Sequence, residues 1–305
     1  MSGVSEVEGV YSAMEEAAGL LGISCSRDKI LPILTTFQDT LADSVIIFSM
    51  AAGRRATELD FTISTPPGQG DPYPTALANG FTSKTDHPVG ALISDLHERY
   101  PDNRYAVDGG VTEGFKKIYA VFPANEPEEL SKLIDIPSMP RSVAENADLF
   151  ASYGLDKVTM ISVDYLKRAV NLYCGSLPAE SVESKTILSM AREMGLQEPS
   201  ERGLEFAKRS FAIYPTVGWD SSKVNRICLA VITTDPTIVP APTEEEIAQF
   251  SKYGNNAPYA YVGEKRTFVY GLTLTPGEEY YKLGAYYQIT DHQRTLVKAF
   301  ESLKD

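Results

Sequence analysis

Four stretches of the chain alternate apolar residues with a charge, an amide or a tyrosine. Lys117 and Tyr119 alternate with Ile118, Ala120 and Phe122, and Lys167, Asn171 and Tyr173 with Val170 and Leu172. Arg226 and Cys228 alternate with Ile227, Leu229 and Val231, and Lys282, Gly284 and Tyr286 with Leu283 and Ala285. Successive strand side chains point to opposite faces, so each segment has one apolar face and one face carrying a cation. Burying several like charges is costly unless an anion joins them. The pattern therefore predicts a sheet with a helix-covered outer face and a cationic, aromatic inner face built for a polyanionic ligand.

Around these strands, a unit of two helices followed by a hairpin recurs. The first has helices over Val7–Gly22 and Arg27–Leu41, then strands over Ser44–Ala51 and Ala56–Ser64. The second has helices over Tyr73–Asn79 and Val89–Arg99 with strands over Arg104–Asp108 and Phe115–Phe122. The third has Glu126–Leu133 and Arg141–Tyr153, then Lys157–Val163 and Lys167–Cys174. The fourth has Val182–Met194 and Glu201–Lys208, then Ser210–Val217 and Lys223–Thr233. The fifth has a helix over Thr243–Tyr253, strands over Arg266–Thr273 and Tyr280–Ile289, and a closing helix from Asp291. Turn chemistry falls at Gly53-Arg54, Asp108-Gly109-Gly110, Asp164, Gly218–Ser222 and Pro276-Gly277. Pro66-Pro67, Pro88 and Pro215 are expected at edges or boundaries, where proline is tolerated. Five such units give an α+β fold in which ten antiparallel strands close into a barrel, within a single domain spanning 1–305. Closure removes exposed edges, and ten strands enclose a wider lumen than eight.

Composition narrows the function. Lys and Arg number 28 against 41 Asp and Glu, a net charge of −13. That balance disfavours a nucleic-acid or anionic-membrane surface. It also sets the inward cations against the bulk charge. Cys25, Cys174 and Cys228 are widely spaced with no CxxC, which predicts free thiols in a reducing compartment. The N-terminal segment lacks a basic region followed by an apolar core, and the apolar run near Ser44 is short of the ~20 residues of a membrane span. A soluble cytoplasmic protein is expected. No GxxxxGK[ST] is present, and the Gly-Gln-Gly-Asp run lacks a third glycine. His87, His97 and His292 are too scattered for a histidine-rich zinc site.

The repeated ααββ order resembles the soluble aromatic prenyltransferases of the ABBA, or PT-barrel, fold. The stretches that carry the resemblance are MEEAAGLLG (Met14–Gly22), FQDTL (Phe37–Leu41), GFKK (Gly114–Lys117), AENADLFASYGLDKV (Ala144–Val158), VNLY (Val170–Tyr173), APYAYVGEKRT (Ala257–Thr267) and EEYYKLGAYYQIT (Glu279–Thr290). It implies transfer of an allylic group, geranyl or similar, from its diphosphate to an electron-rich aromatic ring such as a hydroxynaphthalene. By the same resemblance the diphosphate positions are Lys117, Lys167, Asn171, Tyr214, Arg226 and Lys282. The aromatic-substrate positions are Tyr119, Thr159, Met160, Tyr173, Phe211, Ala212, Tyr286, His292, Gln293 and Leu296. A magnesium position falls on Asp60. Thr159, Ala212, His292 and Pro67 depart from the family's pattern, which bears on acceptor choice more than on reaction type. The resemblance also implies a monomer.

The chemistry asks for these residue types. Breaking an allylic C–O bond sends negative charge onto diphosphate, which Lys117, Lys167, Lys282 and Arg226 can stabilise. Tyr286 and the other aromatic faces can stabilise the prenyl cation without competing as nucleophiles. Proton loss can go to water or to diphosphate, and no dedicated base stands out. Set against this, a lone strand lysine is usually a solvated edge residue. A lone Asp60 more often pairs with a neighbouring cation, and Asp108 before two glycines reads equally as a turn residue. The alternative function is a non-catalytic barrel that carries an aromatic or isoprenoid metabolite. A terpene cyclase is disfavoured, since the chain has no DDxxD.

Overall fold

The computed structural model describes residues 3–52, 58–66, 68–123, 126–175, 177–235, 238, 250, 266–290 and 293. Eleven strands form one sheet: β1 Ile46–Ala51, β2 Leu59–Ser64, β3 Arg104–Gly110, β4 Gly114–Val121, β5 Glu128–Glu129, β6 Lys157–Asp164, β7 Ala169–Gly175, β8 Ala212–Gly218, β9 Arg226–Thr233, β10 Phe268–Leu274 and β11 Glu279–Gln288. Each long strand pairs antiparallel with its neighbour in the order β4-β3-β2-β1-β11-β10-β9-β8-β7-β6. A further pairing, Lys117↔Asp164 through Val121↔Met160, joins β4 to β6 and closes ten strands into a barrel. The two-residue β5 adds to one end of β6.

The outer wall follows from the alternation. Ile46, Phe48 and Met50 on β1 and Leu59, Phe61 and Ile63 on β2 are buried, while the residues between them are partly open to the lumen. Burying each large apolar side chain contributes roughly 1.5–3 kcal/mol. The helices present matching stripes. On α1 (Gly3–Leu20) the buried residues Val7, Val10, Tyr11, Met14, Ala17 and Ala18 recur at helical spacing. Ile187, Met190 and Ala191 do the same on the helix Ser184–Glu193.

Several expectations are corrected. The helix from Arg27 ends at Thr36 and gives way to a 3₁₀ turn over Gln38–Asp43. There Thr36 and Thr40 donate their hydroxyls to Pro32 O at 2.8 Å and Phe37 O at 2.9 Å, local bonds that compete with a regular helix. The stretch over Arg141–Tyr153 breaks at Asn146 into two short helices. Asp108-Gly109-Gly110 is not a turn, since β3 runs through it and Gly114, at φ 84°, takes the turn conformation. Gly109 serves close approach instead: a Cβ there would lie 2.7 Å from Phe61 Cζ and 2.8 Å from Gly114 O. Pro215 lies inside β8, between two partner strands. The β7 ladder skips from Asn171↔Thr216 to Cys174↔Ile213, so the missing N–H falls in a gap. The predicted Gly53-Arg54 turn falls outside the described residues, as do the helix from Asp291 apart from Gln293 and the Thr243–Tyr253 helix apart from Phe250.

Candidate active site

Register places the polar faces of all the long strands around one lumen. Ser49 on β1 lies opposite both Asp60 on β2 and Gly284 on β11. Asp108 on β3 lies opposite Thr62 and Lys117. Ser162 is opposite Asn171, Asn171 opposite Thr216, and Thr216 opposite Arg226. Lys282 and Gly271 face each other across β11 and β10.

Of the predicted cations, Lys117, Arg226 and Lys282 meet in this lumen. Lys117 is buried, with Asp108 Oδ1 3.6 Å from its ammonium. Burial alone would lower its pKa, but Asp108, Asp60 and Asp164 outweigh that and hold it above the usual lysine range. Arg226 donates from Nε to Thr216 Oγ1 at 3.1 Å and from Nη2 to Asn171 Oδ1 at 3.4 Å. Asn171 in turn donates to Ser162 Oγ. Lys282 makes no ion pair among the described residues. Burial, then repulsion by Arg226 and Lys117, pushes its pKa down to about 8.

Lys167 departs from expectation. β7 begins only at Ala169, and residues 165–168 form a turn with Arg168 at φ 46°. Lys167 is exposed there, its backbone N–H bonded to Asp164 Oδ1 at 2.8 Å. It is a rim residue, although partial burial and Arg226 lower its pKa. A cation that the alternation missed takes a place nearer the lumen. The register shifts between Asp108 and Gly109, leaving Lys116 unpaired in a bulge. Lys116 Nζ reaches Asp60 Oδ1 at 2.8 Å, Glu113 at 3.2 Å and Glu58 at 3.7 Å. Burial tends to raise the pKa of Asp60, but Lys117, Lys116 and Lys282 hold it below the usual carboxylate range.

Aromatic side chains form a wall beside the cations. Tyr119 and Tyr173 have ring centroids 5.9 Å apart, and Tyr173 and Tyr214 4.2 Å apart. Burial raises the pKa of each of these tyrosines, so all three are neutral phenols at physiological pH. Tyr286 accepts from Gln293 Nε2 at 3.2 Å, which joins two of the predicted acceptor positions. Met160 pairs with Tyr173 across the strands, and Phe211 precedes the buried Ala212 at the start of β8. Thr159 sits at a register shift and spends its hydroxyl on Tyr173 O at 2.9 Å. His292, Leu296 and Pro67 lie outside the described residues.

No three His, Cys, Asp or Glu side chains cluster to hold a metal among the described residues. Asp60 is one carboxylate already facing three lysines. The set does not suit a metal bound by protein alone. It does suit an ion that arrives on phosphate oxygens and needs a single protein carboxylate, as magnesium commonly does.

A closed antiparallel barrel holding cations and phenols in its lumen defines a class of enzyme that handles an anionic leaving group beside an aromatic ring. Solved structures share the fold: PriB bound to product diphosphate matches with TM-score 0.53 over 92% of this chain and 95% of that one, at 9% identity. The 5-dimethylallyltryptophan synthase of Streptomyces coelicolor matches with TM-score 0.50, also at 9% identity, over 92% of this chain and 96% of that one. The architecture is the ABBA barrel. The family model for aromatic prenyltransferase Orf2 matches residues 5–300, and the chain belongs to that family. It is 44% identical to a flaviolin linalyltransferase of Streptomyces virginiae, over 94% of each chain. It is 42% identical to a 5,10-dihydrophenazine-1-carboxylate 9-dimethylallyltransferase of Streptomyces anulatus, over 94% of this chain and 95% of that one. A furaquinocin biosynthesis prenyltransferase of Streptomyces sp. (strain KO-3988) is also 42% identical, over 93% of this chain and 91% of that one. The protein is an aromatic prenyltransferase, a catalyst rather than a carrier, with a prenyl diphosphate and an aromatic compound as its substrates.

Proposed function

We propose that the donor is geranyl diphosphate or a near relative and the acceptor a fused phenolic ring of the hydroxynaphthalene type, prenylated on carbon. The observation that carries this is the juxtaposition of Lys117, Arg226 and Lys282 with the Tyr119–Tyr173–Tyr214 wall inside one lumen. Support also comes from relatives named for flaviolin and a dihydrophenazine, both fused rings, and for linalyl and dimethylallyl transfer.

In this reading Lys117, Arg226, Lys282, Asn171 and Tyr214 bind the diphosphate, with Lys167 reaching it from the rim. Arg226 can engage phosphate oxygens through two N–H groups, and the lysines act as point charges. Their stabilisation grows as the C–O bond ionises, because water is excluded and the dipoles are already placed. The tyrosine faces and Tyr286 stabilise the allylic cation by roughly 0.5–2 kcal/mol each. They also hold the ring carbon against it. Tyr119, Met160, Tyr173, Phe211, Ala212, Tyr286 and Gln293 contact the acceptor. A magnesium ion held by Asp60 and phosphate oxygens would add charge neutralisation at the leaving group. The protein acts as a cytoplasmic monomer, a reading supported by three free cysteines and by a barrel whose long strands pair on both sides. No helix among the described residues is long and apolar enough to cross a membrane.

Incubation with geranyl diphosphate and 1,6-dihydroxynaphthalene, read by mass spectrometry, tests the assignment. A geranylated product is expected, reduced by EDTA and restored by excess magnesium. Asp60→Asn should abolish that magnesium response. Product formation indifferent to EDTA would remove the metal, and no product across several phenols and donor lengths would remove the substrate assignment. Lys282 adds a pH dependence. It is charged in the free protein below about 8 and loses that charge as pH rises through this value. The apparent donor affinity should therefore fall across that range while acceptor affinity holds. A flat donor profile from pH 7 to 9 would refute the role.

A further inference from the structure

Aromatic prenylation leaves a proton on the attacked carbon, and the lumen contains a carboxylate whose surroundings fit its removal. Asp108 is 3% exposed. Its Oδ2 accepts from Thr62 Oγ1 at 3.1 Å and from the Tyr119 hydroxyl at 3.3 Å. Its Oδ1 has no hydrogen bond, and the Lys117 ammonium lies 3.6 Å away. A buried oxygen left without a hydrogen bond is costly, and such groups call for an explanation. The phenol that touches Asp108 also belongs to the aromatic wall, since Tyr119 packs 5.9 Å from Tyr173.

We propose that Tyr119 and Asp108 form a proton relay that restores aromaticity to the prenylated ring. This rests on the transferase reading of the lumen. The allylic C–O bond breaks with its electron pair leaving on diphosphate, and a π pair of the acceptor forms the new C–C bond. The C–H pair at the attacked carbon then returns to the ring. Its proton passes to the Tyr119 oxygen while the proton of Tyr119 passes to Asp108 Oδ2. The resulting acid releases its proton to diphosphate or water as products leave, so no further reagent is needed. Lys117 sets the timing. In the free protein it neutralises Asp108, whereas a bound diphosphate competes for the same ammonium and adds negative charge nearby. Both changes make Asp108 the stronger base once the donor is in place. Burial already raises its pKa against the pull of Lys117.

Single-turnover rates with protiated and ring-deuterated 1,6-dihydroxynaphthalene test the relay in the wild type, Asp108→Asn and Tyr119→Phe. Ionisation should limit the wild type, which then reacts equally with both acceptors. Each variant should slow by ~10²-fold, the scale of lost general-base catalysis, and acquire a primary isotope effect. Slower transfer without an isotope effect would assign Asp108 a purely structural or electrostatic role and overturn the relay. So would a Tyr119→Phe enzyme at wild-type rate, a variant that keeps the ring and stands independently of whether Asp108→Asn folds. A wild type that transfers to no acceptor would overturn the transferase reading and the relay with it.

Discussion

Lys282→Met is expected to abolish prenyl transfer and at the same time raise the melting temperature. Lys282 sits in the lumen with Arg226 and Lys117 bearing on it and no ion pair among the described residues. Its pKa is pushed down to about 8, so at neutral pH the folded protein holds a charge that its surroundings disfavour. Because the folded pKa lies below the unfolded one, the penalty is present in full below about 8 and is relieved as pH rises towards the lysine value of ~10.4. Methionine keeps the length and removes the charge, which should stabilise the fold by ~1–3 kcal/mol at pH 7. The same change removes a cation from the leaving group and should cost at least ~10² in turnover. Thermal melts at pH 7 and 10 check the sign, with the advantage of methionine shrinking at the higher pH. Equal melting temperatures for wild type and variant at pH 7 would show that Lys282 stores no strain, and retained turnover would show that it holds no diphosphate.

The second large effect is on stability. Phe61→Ala should destabilise the protein by ~3–5 kcal/mol, because the ring is fully buried in the hydrophobic core. Gly109→Ala should cost ~1–3 kcal/mol by overpacking against the same ring and the Gly114 carbonyl. The two positions are in contact, so a smaller residue at 61 should soften the penalty of alanine at 109. Denaturant unfolding of Gly109→Ala, Phe61→Leu and the double variant measures this. Strictly additive losses would mean that the glycine is required for the backbone alone.

The alternation at Lys117, Arg226 and Lys282 was legible because period-two patterning survives without knowledge of partners, and it located the lumen and its charge. Thr216, two residues from Tyr214 and in phase with it, was open to the same reasoning. Lys116 was not. Its approach to Asp60 depends on a bulge, and a bulge has no reliable signature in one sequence. Lys167 was misplaced for a related reason: strand periodicity carries no signal for where a strand yields to a turn, and Arg168 adopts a left-handed conformation that few non-glycine residues do. Asp108 was hidden by the two glycines after it, which read as turn chemistry although Gly109 answers to Phe61 on the neighbouring strand. Substrate positions such as Thr159 and Ala212 came from family resemblance, and sheet register supplied what each one faces.

The separation of the two faces of the barrel has a consequence for how such enzymes diversify. Phe48, Phe61 and Ile118 point outward and fix the architecture, while Ala212, Cys228 and Gly271 face the lumen. Because neighbouring residues on one strand serve different layers, a lumen side chain can be exchanged without reopening the contacts that hold the helices in place. The wall is in this sense mutable on one side only. A lineage built on it can explore new ring systems by successive single steps, with each intermediate still a folded barrel.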